Sequence, residues 1–324
     1  MQTLFDVNPW KIIQKEFDPS KERAAESIFS IGNGSFGQRA NFEEHYSGDS
    51  LQGSYIGGIY YPDKTKVGWW KNGYPEYFAK VLNSCNWIGI NIEVNENKLD
   101  LAKCDVSYFY RELDMYNGTL SRKFICSFKD GKKIEVNSLR FCSMHDKSLG
   151  VISYSIKPIN FSGDIRITPY LDFNIRNTDS NYDEIFWNPG TRESSHQKSF
   201  ISATTKKTNF KVAVAMNYSF FDNNKEIRVQ SGNIEKELYV ANNFKIKAKK
   251  GREYTLYKYV SILSSLDGED SLLSSQVKSR ADKAKRDCYV TLLSNHKKSW
   301  KSIWKNADVI IEDDIKAQQA IRFN

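Results

Sequence analysis

The stretch "SIGNGSFGQRANFEEHYSGDSLQGSYIGG" (residues 30–58) decides between two folds. Gly32, Gly34 and Gly37 stand in the G-x-G-x-x-G spacing of a loop that cradles a dinucleotide pyrophosphate at a helix N-terminus. That loop works only between a buried strand and a helix, with an acidic residue ending the next strand about 20 residues later. Here "ESIFSI" (26–31) precedes the glycines, but two further glycine turns follow, with no apolar stripe of helical period. No strand–helix–strand alternation appears before residue 265. The glycines read instead as residues that allow positive φ and close backbone approach in a tight strand connection.

Residues 28–263 alternate with period two between turn signals. "FKVAVAM" (210–216) sets Phe210, Val212, Val214 and Met216 on one face, and "VISYSI" (151–156) does the same with Ile152, Tyr154 and Ile156. "WIGINIEVNENKLDL" (87–101) predicts a hairpin through Asn95–Lys98, and "SFKDGKKIEV" (127–136) another with Asp130-Gly131 at its tip. More than a dozen such runs over this length predict a large antiparallel β-sandwich. After residue 265 the period lengthens. Leu273, Val277, Ala281, Ala284 and Cys288, then Leu292, His296, Trp300 and Trp304, form a helical stripe whose far end is expected to lack a partner. Past an extended "VIIE" (309–312), Asp313 and Asp314 are placed to cap a second helix, "IKAQQAIRFN". That helix stops in mid-pattern, so the chain is expected to be part of something longer.

Composition narrows the function classes. Of 324 residues, 40% are hydrophobic and 14% aromatic, enough for a sizeable core. The net charge of +8 is dispersed among acidic residues, and in the densest basic run, "KIKAKKGR" (245–252), lysines alternate with Ile246 and Ala248 as on the wet face of a strand. No basic stripe studded with aromatics suggests nucleic acid. Five cysteines without a C-x-x-C spacing, and four scattered histidines, argue against a zinc site or a disulfide framework. With no signal-like N-terminus and no run of about 18–20 apolar residues, a cytoplasmic protein independent of membranes is expected.

Residues 26–87 carry a resemblance. Glu26 to Glu44 fits an E-S-x-x-S-x-G-N-G-x-x-G-x-R-[GA]-x-F-E-E pattern, and Gly53 to Gly58 fits G-[ST]-Y-I-[GA]-G. Together they resemble the N-terminal domain of glycoside hydrolase family 65. Ala40 departs from the glycine many relatives carry there. "PDKTKVGWWKNGYPEYF" (62–78) looks like the branch acting on maltose rather than trehalose or kojibiose, while "HKKSWKSIWKNADVIIEDD" (296–314) and "QQAIRFN" (318–324) resemble the linker and first barrel helix.

The resemblance implies a β-supersandwich at 1–268, a helical linker at 269–308, and the start of an (α/α)6 catalytic barrel at 309–324. It also implies a homodimeric cytoplasmic enzyme that phosphorolyses a disaccharide with inversion. Inorganic phosphate is then a co-substrate, and no cofactor or metal is called for. The general acid and the phosphate-binding groups are expected in the barrel downstream of Asn324, so no catalytic residue is assigned here and the chain alone is expected to be inactive. Another linkage specificity, a hydrolase of the same family, and a free-standing carbohydrate-binding sandwich are the alternatives.

Local candidates remain. Glu43 and Glu44 beside His45 resemble an acid/base cluster, but neighbours on a strand face opposite ways, so their carboxylates are not expected to converge and a salt-bridged or solvated role is preferred. His45, His145, His196 and His296 share no spacing, and each reads as structural. Trp69, Trp70, Lys71, Asn72, Tyr74 and Glu76 form an aromatic loop with Gly73 and Pro75. Its aromatic faces could stack on a sugar with amide and carboxylate groups alongside. The plainer reading packs the tryptophans onto the sandwich or the barrel.

Overall fold

The computed structural model describes residues 5–65, 73–178 and 185–323. Turn chemistry sets the limits of many strands. Asn95 and Glu96, at φ 45° and 72°, join Ile90–Val94 to Asn97–Lys98, the positive φ pair that a two-residue hairpin needs. Gly131, at φ 78°, follows Asp130 at the tip between Thr119–Ser127 and Lys133–Cys142. Both hairpins match the sequence reading.

Every strand pairing described is antiparallel. The largest sheet has eleven strands, and its middle runs Asp105–Asp114, Thr119–Ser127, Lys133–Cys142, Leu149–Pro158, Tyr254–Ser264, Lys211–Asp222, Lys198–Thr205. A five-stranded sheet centred on Gly163–Asp172 and Tyr239–Ala248 faces it. Between them lies one core, in which Ile152, Tyr154, Ile156, Val212, Val214 and Met216 belong to the same cluster as Ile165, Ile167, Val240 and Phe244. Lys245 and Lys247 point to solvent from Tyr239–Ala248 while Ile246 and Ala248 turn inward, as the alternation predicts. The fold is mainly β, a large antiparallel sandwich followed by helices.

Three α-helices are described. A 3-10 turn (Pro19–Lys21), capped by the Asp18 carboxylate accepting the Ser20 N–H, leads into the short α1 (Glu22–Ile28), which the period-two pattern does not foresee. The long α2 (Asp270–Ala307) crosses the outer face of the large sheet, and α3 (Ile315–Phe323) follows it. Asp314 Oδ1 accepts from the N–H groups of Lys316 and Ala317 at 3.0 and 2.9 Å, so the cap reading holds for that residue. No described helix is long and apolar enough to cross a membrane.

The central strands are buried on both faces, which a single-face reading of "FKVAVAM" misses. Val212, Val214 and Met216 enter the core, whereas Ala213 and Ala215 lie beneath Leu273, Val277 and Ala281 of α2. Small side chains on that face let the helix axis come close to the sheet.

Two expectations for the stripe need correction. Cys288 is exposed: the backbone there takes φ 57°, ψ 161° and breaks the helix, and the buried stripe resumes at Leu292 and His296. Trp300 and Trp304 do find partners. The Trp304 ring stands edge-on to Trp10 at 5.0 Å and its Nε1 donates to the Met115 carbonyl at 3.0 Å, while Trp300 stacks on Trp304 and covers Gly118.

Candidate functional site

The glycine motif is a hairpin. Ile31–Gly32 pairs with Phe36–Gln38, and Gly34, at φ 85°, lies in the turn between them. Gly32 sits directly across from Gly37, and a Cβ on Gly32 would come within 3.3 Å of the Phe36 carbonyl. The residue that fixes this turn is Asn33, which is buried. Its Oδ1 accepts from the N–H groups of Ser35 and Phe36, both at 3.0 Å, and its Nδ2 donates to the carbonyls of Ser143 and Lys147 at 2.9 and 3.0 Å. Sequence reasoning fixed on the glycines and missed Asn33, although an Asn before Gly in a turn is a readable signal.

Downstream, the motif's acidic residues enter a buried ion network. Glu43 and Glu44 converge on Arg122, contrary to the expectation from strand geometry. Arg122 Nη2 lies 2.6 Å from Glu43 Oε2 and 2.5 Å from Glu44 Oε2. The reason is local: these two residues form a bend, so the alternation of a strand does not apply. Arg140 donates to Glu43 Oε1 at 2.7 Å, and the Tyr154 hydroxyl donates to Glu44 Oε1 at 2.6 Å. Burial pushes the Glu43 carboxyl upward, but Arg140 and Arg122 outweigh it and hold the group below the ordinary carboxylate range. A second pair, Arg111 with Glu22 at 2.7 Å, lies among the rings of Phe29, Phe42 and Phe109. The Glu26 carboxylate accepts from the Leu51 N–H at 2.8 Å and from the Ser50 hydroxyl. The salt-bridged role preferred for Glu43 and Glu44 is the one they play, and it leaves neither carboxylate free for proton transfer to a substrate.

The histidines stay apart in role. His296 is buried and stacked on Phe141 at 4.5 Å; its Nδ1 accepts the Met144 N–H at 3.0 Å, and its Nε2 donates to the Gly118 carbonyl at 3.1 Å. His45 Nε2 lies 3.9 Å from Asp100. Among the described residues, no group of three or more His, Cys, Asp or Glu side chains is arranged to hold a metal ion.

The surface next to the glycine hairpin is the best candidate for an outward-facing function. A hairpin of Tyr60–Lys64 and Tyr77–Val81 stands as its own two-stranded sheet, with Tyr60, Tyr77, Phe78 and Val81 exposed. Beside it opens a hollow of about 490 Å³ floored by Gly32, Gly34, Gly57 and Gly58 and walled by Tyr60 and Val81. Trp69, Trp70, Lys71 and Asn72 lie outside the described residues. Tyr74 and Glu76 are described and exposed: Tyr74 stands edge-on to Phe78 at 6.2 Å, and the Glu76 carbonyl accepts the Thr65 N–H at 2.8 Å. Exposed rings around a backbone-lined hollow offer stacking and amide contacts to whatever approaches.

Comparison with known proteins places this arrangement. The model of the glycosyl hydrolase family 65 N-terminal domain matches residues 12–303. This chain belongs to that family. It is 37% identical over 323 residues to a maltose phosphorylase of Bacillus subtilis (strain 168), covering 100% of this chain and 42% of that protein. To an alpha,alpha-trehalose phosphorylase of Thermoanaerobacter brockii it is 32% identical over 337 residues, covering 99% and 42%. The solved structure of a putative kojibiose phosphorylase from human microbiome superposes with a TM-score of 0.88 at 25% identity, covering 99% of this chain and 41% of that one. The chain thus spans about two fifths of the length of the curated relatives it matches.

In this family 65 domain the motif residues work as internal fasteners. Glu26, Asn33, Arg39, Glu43 and Glu44 each bond across distant parts of the chain, from Leu51 to Tyr154. Together they fix the glycine hairpin and the hollow beside it to the large sheet.

Proposed function

We propose that this chain is the N-terminal sandwich and linker of an inverting disaccharide phosphorylase whose substrates are maltose and inorganic phosphate. The observation that carries the reading is 37% identity to a maltose phosphorylase along the whole chain, against 32% to a trehalose phosphorylase. In that reading residues 1–268 are the sandwich, 269–308 the linker and 309–324 the first turns of an (α/α)6 barrel. One carboxylic acid protonates the glycosidic oxygen while phosphate attacks the opposite face of the sugar, giving β-glucose 1-phosphate and glucose. The acid and the groups that bind phosphate belong to the barrel; the sandwich serves as scaffold and as a surface of a cytoplasmic homodimer. A Trp69–Glu76 loop that reaches the rim around the disaccharide predicts that Trp70→Ala raises KM for maltose, whereas packing of the tryptophans predicts a loss of folding stability; a variant with neither change removes both readings.

The test is a panel assay on the intact gene product. Maltose, trehalose and kojibiose are each incubated with and without inorganic phosphate, and glucose and glucose 1-phosphate are measured. The expected result is phosphate-dependent cleavage of maltose in preference to the other two. Cleavage independent of phosphate, or preference for another disaccharide, overturns the assignment.

A further inference from the structure

On the outer face of the large sheet, away from the residues of the glycine hollow, α2 breaks at Cys288 and a second cavity opens beside the break. It measures about 550 Å³, within the ~300–1,000 Å³ of small-molecule sites. Aromatic rings line one side: Tyr257 and Tyr289 stack at 4.8 Å, and Phe221 meets Tyr257 edge-on at 5.2 Å. Asn217, 2% exposed, lies in the lining. Its Nδ2 donates to Asp282 Oδ1 at 2.8 Å, but its buried Oδ1 has no hydrogen-bond partner among the described residues. The buried hydroxyls of Ser219 and Tyr259 line the same cavity 3.5 Å apart. At the rim, Lys198 pairs with Asp282 at 2.7 Å, and the half-buried Lys285 donates to Gln197 Oε1 at 3.1 Å.

We propose that this cavity is a carbohydrate-binding site, with neutral sugar hydroxyls on Asn217 and Asp282 and a pyranose ring against Tyr257 and Tyr289. The acceptors decide the class of ligand. Asn217 Oδ1 is an orphaned acceptor, and a buried polar atom without a partner is costly, so a ligand that brings a donor is favoured. The Asp282 carboxylate is likewise acceptor-only. An inorganic phosphate has few P–OH donors and brings negative charge beside the Asp282 and Glu226 carboxylates of the lining, whereas a neutral sugar hydroxyl donates and accepts in one group. The hydroxyls of Ser219 and Tyr259 can do either, which suits a ligand with several hydroxyls in a row. The aromatic side supplies the apolar wall that the C–H face of a pyranose needs. The choice of maltose as probe rests on the disaccharide reading above; the cavity and its orphaned acceptor do not.

The experiment is a titration of the 324-residue chain with maltose, glucose, glucose 1-phosphate and inorganic phosphate in separate runs, by calorimetry and by shifts of 13C-labelled tyrosine rings. Maltose or glucose is expected to give saturable heat and to shift the Tyr257 and Tyr289 resonances in the unmodified chain. Tyr289→Ala is expected to weaken that binding at least tenfold, as is Asn217→Ala in a chain whose circular dichroism is unchanged. The tyrosine shifts locate the ligand even where a variant fails to fold. Absence of saturable sugar binding, sugar binding that leaves both tyrosines unshifted, or binding confined to the two phosphates overturns the proposal. A phosphorolysis assay that fails while the sugar titration succeeds removes the enzyme reading and keeps the site; the converse removes only the site.

Discussion

Arg122 shows how much of this domain depends on single buried charges. Its guanidinium neutralises two carboxylates in the interior and packs over Phe42 and Phe124, at 4.4 and 5.0 Å from the ring centroids. Removing one partner of a buried ion pair leaves a charge without compensation, at a cost of about 3–5 kcal/mol. Arg122→Met is therefore expected to lower urea-unfolding stability by at least that range, since two carboxylates lose their cation together. A loss below about 1 kcal/mol, the ordinary worth of an exposed pair, contradicts the network's role. His296 gives a pH prediction. Burial lowers its pKa to about 4, and protonation of Nδ1 would break the bond from the Met144 N–H. The unfolded chain binds this proton near pH 6.5, so between about 4 and 6.5 it holds more protons than the folded chain and stability rises with pH. The contribution of the neutral ring is complete above about 6.5 and is lost as pH falls through that window. Urea midpoints measured from about pH 7 to about pH 4.5 should fall more steeply for the native chain than for His296→Gln. Parallel curves refute the assignment. At this scale the sequence is only partly legible. The stripe placed His296 inside, but nothing local to Glu43 and Glu44 announces that a bend turns both toward an arginine nearly 80 residues away.

At the scale of elements, the hairpins at Asn95-Glu96 and Asp130-Gly131 were readable because short turns carry their own chemistry, a positive-φ pair in the first and a positive-φ glycine in the second. The double burial of Lys211–Asp222 was less so. Alternating Val and Ala looks like one apolar face until a helix is known to lie across the alanines. The break in α2 was hidden for a different reason: Cys288 keeps the apolar period of its neighbours while its backbone leaves the helix. A non-glycine residue at φ 57° and ψ 161° carries strain of about 1–3 kcal/mol, and glycine occupies that region freely. Cys288 is exposed and its Sγ has Thr291 Oγ1 as neighbour at 3.8 Å, so little packing is lost with the side chain. Cys288→Gly should accordingly raise the unfolding free energy measured in urea by about 1 kcal/mol after the entropy cost of glycine. A clear drop in stability would mean that the break is not an intrinsic feature of the folded chain.

For the whole molecule, the antiparallel sandwich followed by helices could be read from periodicity, and the family from residues 26–87, several of which are tied to distant strands. The outward surfaces were harder to read. Tyr60, Tyr77 and Phe78 are plain aromatics in sequence, and only the fold groups them beside the glycine hollow. Since the motif carboxylates are held in ion pairs, the 324-residue chain is expected to release no glucose 1-phosphate from maltose and phosphate. Release by the purified chain would place the chemistry in the sandwich. The most direct test of the account as a whole is the anomeric configuration of the product formed by the intact protein from maltose and inorganic phosphate, followed by proton NMR before mutarotation of the free glucose. The account predicts β-glucose 1-phosphate accumulating in step with glucose; α-glucose 1-phosphate, or glucose without any sugar phosphate, would contradict it.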